Sequence, residues 1–429
     1  MVLPKSFDCH ECFADYVNAY YNSSMSLDNN PPGNNSGSIP SDWPKPSAEA
    51  ILHSQALVDY IKSDINEQGG VIDFARYMQH ALYAPGLGYY TAGSNKFGSA
   101  GDFVTAPEIS PLFGRCIARQ CRQAMPEIEG DVAILEVGAG SGKLARDILC
   151  ELSALDSLPH RYFILESSAD LRQRQQALLQ DSVPEYFAQI EWLDALPSTP
   201  FSGIVVANEL LDALPVNRLV NQEGGFRELG VSHDNGQLHY VELSADTAAI
   251  SNLNQRIAPL LTEFDSAYTA ELCLTMDAWL VSLAQCLEHA LVLLIDYGSG
   301  RAEYYHPQRV HGSLRCHYRH HAHDDPFIYP GLQDITAHVD FTAVAEMAVD
   351  NQLEVLGYTS QAYFLMSCGL AEMVDMEEVS DIERIELAQQ VRRLTMPGEM
   401  GETFKVIALG RNCYTDLMGF SLRDMRGNL

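Results

Sequence analysis

The chain has 429 residues, enough for one large α/β domain with insertions or for several smaller ones, and its 46% hydrophobic content is that of an ordinary globular protein. Acidic residues outnumber basic ones 57 to 27, a formal charge of −30. Such a surface repels a phosphate backbone, which sets nucleic acid aside as a partner and suits a basic protein or peptide. The 10 cysteines are scattered, only Cys9 and Cys12 have metal-like spacing, and no second pair lies near enough to complete a zinc site. Reduced thiols in a cytoplasmic compartment are the simplest account. No run approaches the roughly 18 apolar residues of a membrane span, so no membrane insertion is expected, and Asp8, Glu11 and Asp15 do not suit an Arg-rich presequence.

Residues 1–46 read as a weakly ordered arm. Positions 7–21 could form a short helix bearing aromatic residues, whereas 22–46 is Asn, Ser, Gly and Pro with little apolar content. Order begins at Ala48. Ile51, Leu52, Leu57, Val58, Ile61 and Ile65 recur at helical spacing, with Glu49, Asp59, Lys62 and Asp64 opposite, and Gly69-Gly70 ends the helix. A second amphipathic stretch, 72–82, stops at Pro85-Gly86. The long Gly- and Tyr-rich loop 88–103 runs into Gly101, Asp102, Phe103 and Thr105, and loops of this length are commonly functional. With a helix over 111–125, residues 47–130 form a helical extension ahead of the main domain.

At 132–143 a short apolar strand passes through Glu136 into Gly138, Ala139, Gly140, Ser141 and Gly142, and a helix follows. A turn so poor in side chains lets a ligand approach the backbone at the N–H groups of a helix start. A phosphate-binding P-loop is excluded because Val137 stands where its first Gly belongs and Leu144 where its Ser or Thr belongs. A dinucleotide fingerprint needs Gly-x-Gly-x-x-Gly, one residue longer than this turn. The acid-then-Gly-x-Gly-x-Gly loop of S-adenosylmethionine-dependent methyltransferases fits directly. A plain strand-to-helix turn is the remaining alternative.

Beyond this loop the chain alternates as a doubly wound sheet does. Strands are expected at 132–137, 161–166, 187–193, 203–208 and 291–296, mostly as continuous apolar runs, with helices near 143–153 and 169–180. Residues 218–290 break the pattern. A β-like stretch (226–243) and a helical one (248–289) read as an α/β insertion between the fourth and fifth strands. Residues 353–358 and 403–409 are two further strands, an antiparallel pair that would complete a seven-stranded mixed sheet. No internal repeat is visible.

Ligands of such sheets bind at the carboxyl ends of the strands. The second strand ends at Glu166, at the distance from the glycines where a carboxylate grips a ribose diol. The third ends at Trp192, Leu193 and Asp194, where an acid or a neighbouring amide could meet an adenine amino group. The fourth runs directly into Asn208, Glu209 and Asp212. If the turn is helical the two acids share a face; they could bind a guanidinium bidentately, and one could accept the proton lost on methyl transfer. Helix capping by Asn208 is the structural alternative. The fifth strand places Asp296 at the same rim. His317, His320, His321 and His323 match no zinc spacing and read as a polar, substrate-facing loop.

Six segments occur in one order: Gly101 to Glu108, Glu136 to Gly142, Asn208 to Val216, Ile295 to Gly298, Gln333 to Phe341 and Gly401 to Val406. Together they closely resemble the MidA family, bacterial relatives of the mitochondrial complex I assembly factor methyltransferase, over about residues 48–410. The resemblance implies an α/β class I (Rossmann-like) methyltransferase with a seven-stranded mixed sheet, an N-terminal helical extension and an insertion between strands 4 and 5. The methyltransferase domain would span 131–410, with a substrate-side loop at about 300–345 and a tail at 411–429. The implied cofactor is S-adenosyl-L-methionine. Its candidate contacts are Gly101, Asp102, Phe103, Thr105, Glu136, Gly138, Ala139, Gly140, Gly142, Glu166, Asp194 and Asn208. Glu209, Asp212 and Asn208 are the candidate catalytic residues, facing an arginine of a protein substrate such as a respiratory complex I subunit; a homodimer is one assembly the chain could form, and the sequence does not fix the oligomeric state. Other acceptors, a small amine or another protein side chain, stay open, as does a non-enzymatic assembly chaperone with a retained cofactor site.

Overall fold

The computed structural model describes residues 43–92, 104–244, 246–260, 263–374 and 380–429. The arm's proposed helix, Cys9, Cys12, Gly101, Asp102 and Phe103 lie outside the described residues.

Two helices lead in. Helix α1 (Ala48–Glu67) starts at Ser47, whose side chain accepts from the Ala50 N–H, and buries Leu57, Ile61 and Ile65. Helix α2 (Phe74–Tyr83) is capped by Asp73, which accepts from the Arg76 N–H at 2.7 Å. Arg76 grips Asp64 of α1 with two bonds of 2.6 and 2.7 Å, and His80 adds a third contact at 2.8 Å. These partners hold the Asp64 carboxyl down at about 2 against its burial. Helix α3 (Pro111–Ala124) completes this extension.

The main sheet uses β1 (Ala133–Val137), β2 (Arg161–Leu165), β3 (Ile190–Leu193) and β4 (Phe201–Asn208), with helices α4 (Lys143–Ala154) and α5 (Ala169–Ser182) between the first three. After β4 the chain leaves to form a second sheet from β5 (Asn217–Gln222), β6 (Gly225–Asp234), β7 (Gln237–Glu242) and β8 (Thr269–Leu272), joined by the short strand Ile72–Asp73, with helix α6 (Ala248–Ile257) between β7 and β8. Helix α7 (Leu274–Gln285) returns the chain to β9 (Leu287–Ser299).

A small third sheet joins β10 (Arg315–Tyr318), β11 (His321–His323) and β12 (Asp334–Thr336). Helix α8 (Phe341–Asp350), β13 (Glu354–Ser360), helices α9 (Gln361–Ser367) and α10 (Asp381–Thr395), and β14 (Phe404–Arg411) complete the fold.

Strand order in the main sheet is β13-β14-β9-β4-β1-β2-β3, parallel except that β14 runs antiparallel to both its neighbours. This is the expected seven-stranded class I arrangement. The two-residue strand Val339–Asp340 adds an eighth, parallel to the end of β9. Because the chain runs outward from β1 through β2 to β3 and then crosses back to β4, the order reverses beside the carboxyl end of β1. A crevice forms at such a reversal.

Burial explains why these strands read as apolar runs. Ile134, Val206 and Leu293 pack on one face with α3 and α4, and Leu135, Val205 and Val292 on the other with Trp279 and Phe341. The stretch 248–289 is not one helix. Pro259 follows the end of α6, the chain then supplies β8 to the second sheet, and α7 packs Trp279, Leu280 and Leu283 on the main sheet. The end of the chain is packed too: Phe420 is buried against Phe364 with rings 5.7 Å apart, and the Gly419 N–H donates to Gln120 at 2.8 Å.

Candidate functional site

β1 delivers the chain to the glycine turn at the strand-order reversal. Gly138, Gly140 and Gly142 have φ of 74°, 53° and 82°, a left-handed backbone that glycine adopts without a Cβ penalty. At Gly142 space closes as well, since a Cβ would meet Gln175 Cγ at 3.1 Å. The turn is clamped from the far side by Glu108, which accepts from Ser141 Oγ at 2.5 Å and from Lys143 Nζ at 2.6 Å. Glu108 sits on the single turn Ala106–Ile109, which begins after Thr105. Ala139 is buried within the turn.

Glu136 was expected to face a ligand beside this loop. Its side chain instead enters the core, where the Tyr162 hydroxyl donates to it at 2.6 Å. Burial pushes its carboxyl up to about 7 despite that bond.

Glu166, just past β2, accepts from the Ser168 N–H at 2.9 Å and from Gln175 Nε2 at 3.1 Å. Burial raises its carboxyl above the ordinary range, against these bonds. Arg172 braces the next strand end, donating to the Leu193 carbonyl and pairing with Asp194 at 2.7 Å. The Asp194 side chain is 92% exposed. Asp194 is thus exposed and paired with Arg172, while Trp192 is what β3 presents beside Gln175.

The second half of the site lies at the ends of β4 and β9. Glu209 has φ 52°, so the chain after β4 turns sharply and does not continue as a helix. Asn208 accordingly caps nothing; its Nδ2 donates to Glu209 Oε1 at 3.1 Å, and its Oδ1 is buried with no partner. The Ala106 N–H points at the same Glu209 oxygen from 3.4 Å, joining the turn before α3 to this end of the sheet. Asp212 is buried, and its Oδ1 lacks a hydrogen-bond partner of good geometry.

Asp296 holds this turn in place. Its Oδ2 accepts the N–H groups of Leu211 at 2.8 Å and Asp212 at 3.2 Å, and its Oδ1 that of Tyr297 at 2.9 Å. Burial, Asp212 and Glu209 together push the Asp296 carboxyl well up. Burial and then Asp212 raise Glu209 to about 8, and burial raises Asp212 to about 6, with Tyr297 acting in the other direction.

Sequence reasoning did not single out the wall opposite. Tyr83 and Tyr90 stack with ring centres 5.4 Å apart. Tyr83 donates to the Ala213 carbonyl at 3.0 Å, and Tyr90 to Asp334 at 2.8 Å. Asp334, buried on β12, lies close enough to raise Glu209 further. Tyr83 and Tyr90 flank the Pro85-Gly86 break, and Asp334 falls in a segment already conspicuous in the sequence; those were the available signals. Of the four histidines of the neighbouring hairpin, two meet Trp43, which stacks on His321 at 5.3 Å and meets His323 edge-on at 4.9 Å.

Comparison with known proteins agrees with this geometry. The family described as "Putative S-adenosyl-L-methionine-dependent methyltransferase" matches residues 116–359. A crystal structure from Burkholderia thailandensis, bound to S-adenosyl-homocysteine, is 41% identical with a TM-score of 0.84, covering 90% of this chain and 100% of that one. The protein arginine methyltransferase NDUFAF7, mitochondrial, of Danio rerio is 29% identical over 396 residues, 86% of this chain and 90% of its own. Its Homo sapiens counterpart is 27% identical over 372 residues, 79% and 80% of the two chains.

The residues present suit S-adenosylmethionine: a side-chain-poor turn with left-handed glycines, a carboxylate at the end of β2 with lone pairs to spare for hydroxyls, and an orphaned acceptor at Asn208 Oδ1. The expectation of a cytoplasmic protein is corrected by these comparisons, because the similar curated proteins are named mitochondrial. Reduced cysteines indicate a reducing environment and do not choose among reducing compartments. Fold, glycine turn and matched relatives converge: the chain belongs to the MidA-like family of S-adenosylmethionine-dependent methyltransferases.

Proposed function

We propose that this enzyme methylates a guanidinium nitrogen of an arginine in a protein substrate. The observation that carries the reading is the buried Asp212 carboxyl, whose Oδ1 lacks a hydrogen-bond partner of good geometry, in a group with Glu209, Asp334 and the tyrosines Tyr83 and Tyr90. Several carboxyl groups so close together cannot all ionise unless a cation joins them. A guanidinium suits this pocket because it offers paired N–H donors to carboxylates and a flat face to aromatic rings. The relatives named as protein arginine methyltransferases support the same acceptor.

When bound, S-adenosylmethionine supplies the methyl group and a positive sulfonium. The chain supplies the rest. Glu209 and Asp212 bind and orient the guanidinium, which converts transfer into a pre-aligned displacement. Asp296 fixes the backbone that carries Asp212. As the new N–C bond forms, the nitrogen loses a proton, which the Glu209 carboxylate beside it accepts. Tyr83 and Tyr90 stack beside this group, with Tyr90 bonded to Asp334, and offer ring faces to a guanidinium.

The resemblance to MidA proteins further points to a respiratory complex I subunit as acceptor. The test is a lysate lacking this protein, treated with the enzyme and heavy-methyl S-adenosylmethionine and read by site-resolved mass spectrometry. Label on arginine of a discrete protein is the expected result. Label only on lysine, on another side chain or on a small amine would replace the arginine assignment.

A further inference from the structure

The glycine turn, the carboxylate after β2 and the end of β3 are separate in sequence, yet one side chain touches all of them. Gln175, midway along α5, is fully buried. Its Nε2 donates to the Gly140 carbonyl at 2.9 Å and to Glu166 Oε2 at 3.1 Å, which uses both amide hydrogens. Its Oε1 accepts from the Trp192 indole at 3.0 Å. Its Cα and Cγ also lie directly under Gly142.

We propose that Gln175 is a positioning residue for the cofactor, holding the glycine turn, the Glu166 carboxylate and the Trp192 ring in one register as a preformed wall for the adenosine end. No other residue type of this size does all of this. A carboxylate would repel Glu166 and could not donate to Gly140, and an aliphatic side chain would leave three polar groups without a partner. With its N–H committed to Gln175, the Trp192 ring plane is fixed; Phe187 braces it with ring centres 5.9 Å apart. With Asp194 exposed and paired to Arg172, this ring is the aromatic face that the third strand offers an adenine. Gln175 touches no reacting atom, and the inference rests on the donor half alone, whatever the acceptor proves to be.

The test uses calorimetric titration with S-adenosylhomocysteine and with 5′-methylthioadenosine, which lacks the amino-acid end. Gln175→Leu should weaken both to a similar degree, by about 10-fold, because the loss falls on the nucleoside end. Trp192→Phe, which keeps a ring and removes the N–H, should weaken both by about 3-fold, and the double variant should be no worse than Gln175→Leu, since the two share one bond. Wild-type binding of S-adenosylhomocysteine controls for the cofactor site itself. Gln175→Leu binding within 2-fold of wild type, or fully additive losses, would overturn the proposal. Should Gln175→Leu fail to fold, Trp192→Phe decides alone: unchanged affinity for methylthioadenosine sinks the idea.

Discussion

The two halves of the site are built in opposite ways. Around the glycine turn in the donor half, among the described residues, Glu166, Gln175, Ser141 and Lys143 are all bonded within the protein. Where the halves meet, Asn208 Oδ1 has no partner; in the acceptor half Asp212 Oδ1 lacks one of good geometry, and the acids there are pushed up by burial and by one another. A satisfied network is a rigid mould, ready before its ligand arrives. An unsatisfied, crowded set of acids costs stability until a cation enters. The difference supports the proposed division: the first half suits the hydroxyl-bearing nucleoside end of the cofactor, the second a cationic acceptor.

Substitutions should separate the halves. Glu209→Gln keeps the shape but can neither carry charge nor accept the proton; methyl transfer should drop by about a thousandfold at saturating donor, read by label incorporation. Activity within a few-fold of wild type would remove Glu209 from the chemistry.

Asp296→Ala tests architecture, not chemistry. It would strand the N–H groups of Leu211, Asp212 and Tyr297, at a cost of about 3 kcal/mol in unfolding free energy measured by urea titration. An unchanged midpoint would mean that the turn holds itself.

On the donor side, Glu166→Ala should raise the dissociation constant of S-adenosylhomocysteine by about 30-fold, from lost hydroxyl contacts and loss of a Gln175 partner. Transfer at saturating donor should stay near wild type. A fall in turnover without a change in affinity would place Glu166 in the wrong half.

The smallest effect is a pH slope. Glu209 at about 8 and Asp212 at about 6 are raised above their ordinary values, so the folded protein holds protons that the unfolded chain has released. Their contribution to stability is full below the ordinary carboxylate range and is lost as pH rises through about 6 and then about 8. Urea midpoints should therefore fall from pH 6 to pH 8. Asp73 and Glu136, both at about 7, share this slope, so the informative quantity is its flattening in Glu209→Gln relative to wild type. Parallel slopes would contradict the raised Glu209.

Much of the donor half could be read directly, because local constraints write it. Buried parallel strands need continuous apolar runs, and a left-handed turn calls for glycine, so β1 and the residues from Gly138 to Gly142 are plain in the sequence. Long-range pairing is not written this way. Gln175 resembles any helical glutamine until α5 is laid beside Gly140, and Asp194 resembles a rim acid until Arg172 claims it. Asp334 and Tyr90 are 244 residues apart, and nothing local joins them. The helical reading after Asn208 failed because Asp296, from another strand, accepts N–H groups of the following turn. Pro259 and the pairing of β8 with β5 likewise divided a stretch whose composition alone suggested one helix.

The most direct test of two separable halves is one titration: S-adenosylhomocysteine into the Glu209→Gln, Asp212→Asn double variant. The account predicts an affinity within about 3-fold of wild type, since neither side chain belongs to the donor mould. A loss of about 30-fold or more would show that the acceptor acids hold the donor, and would merge the two halves into one.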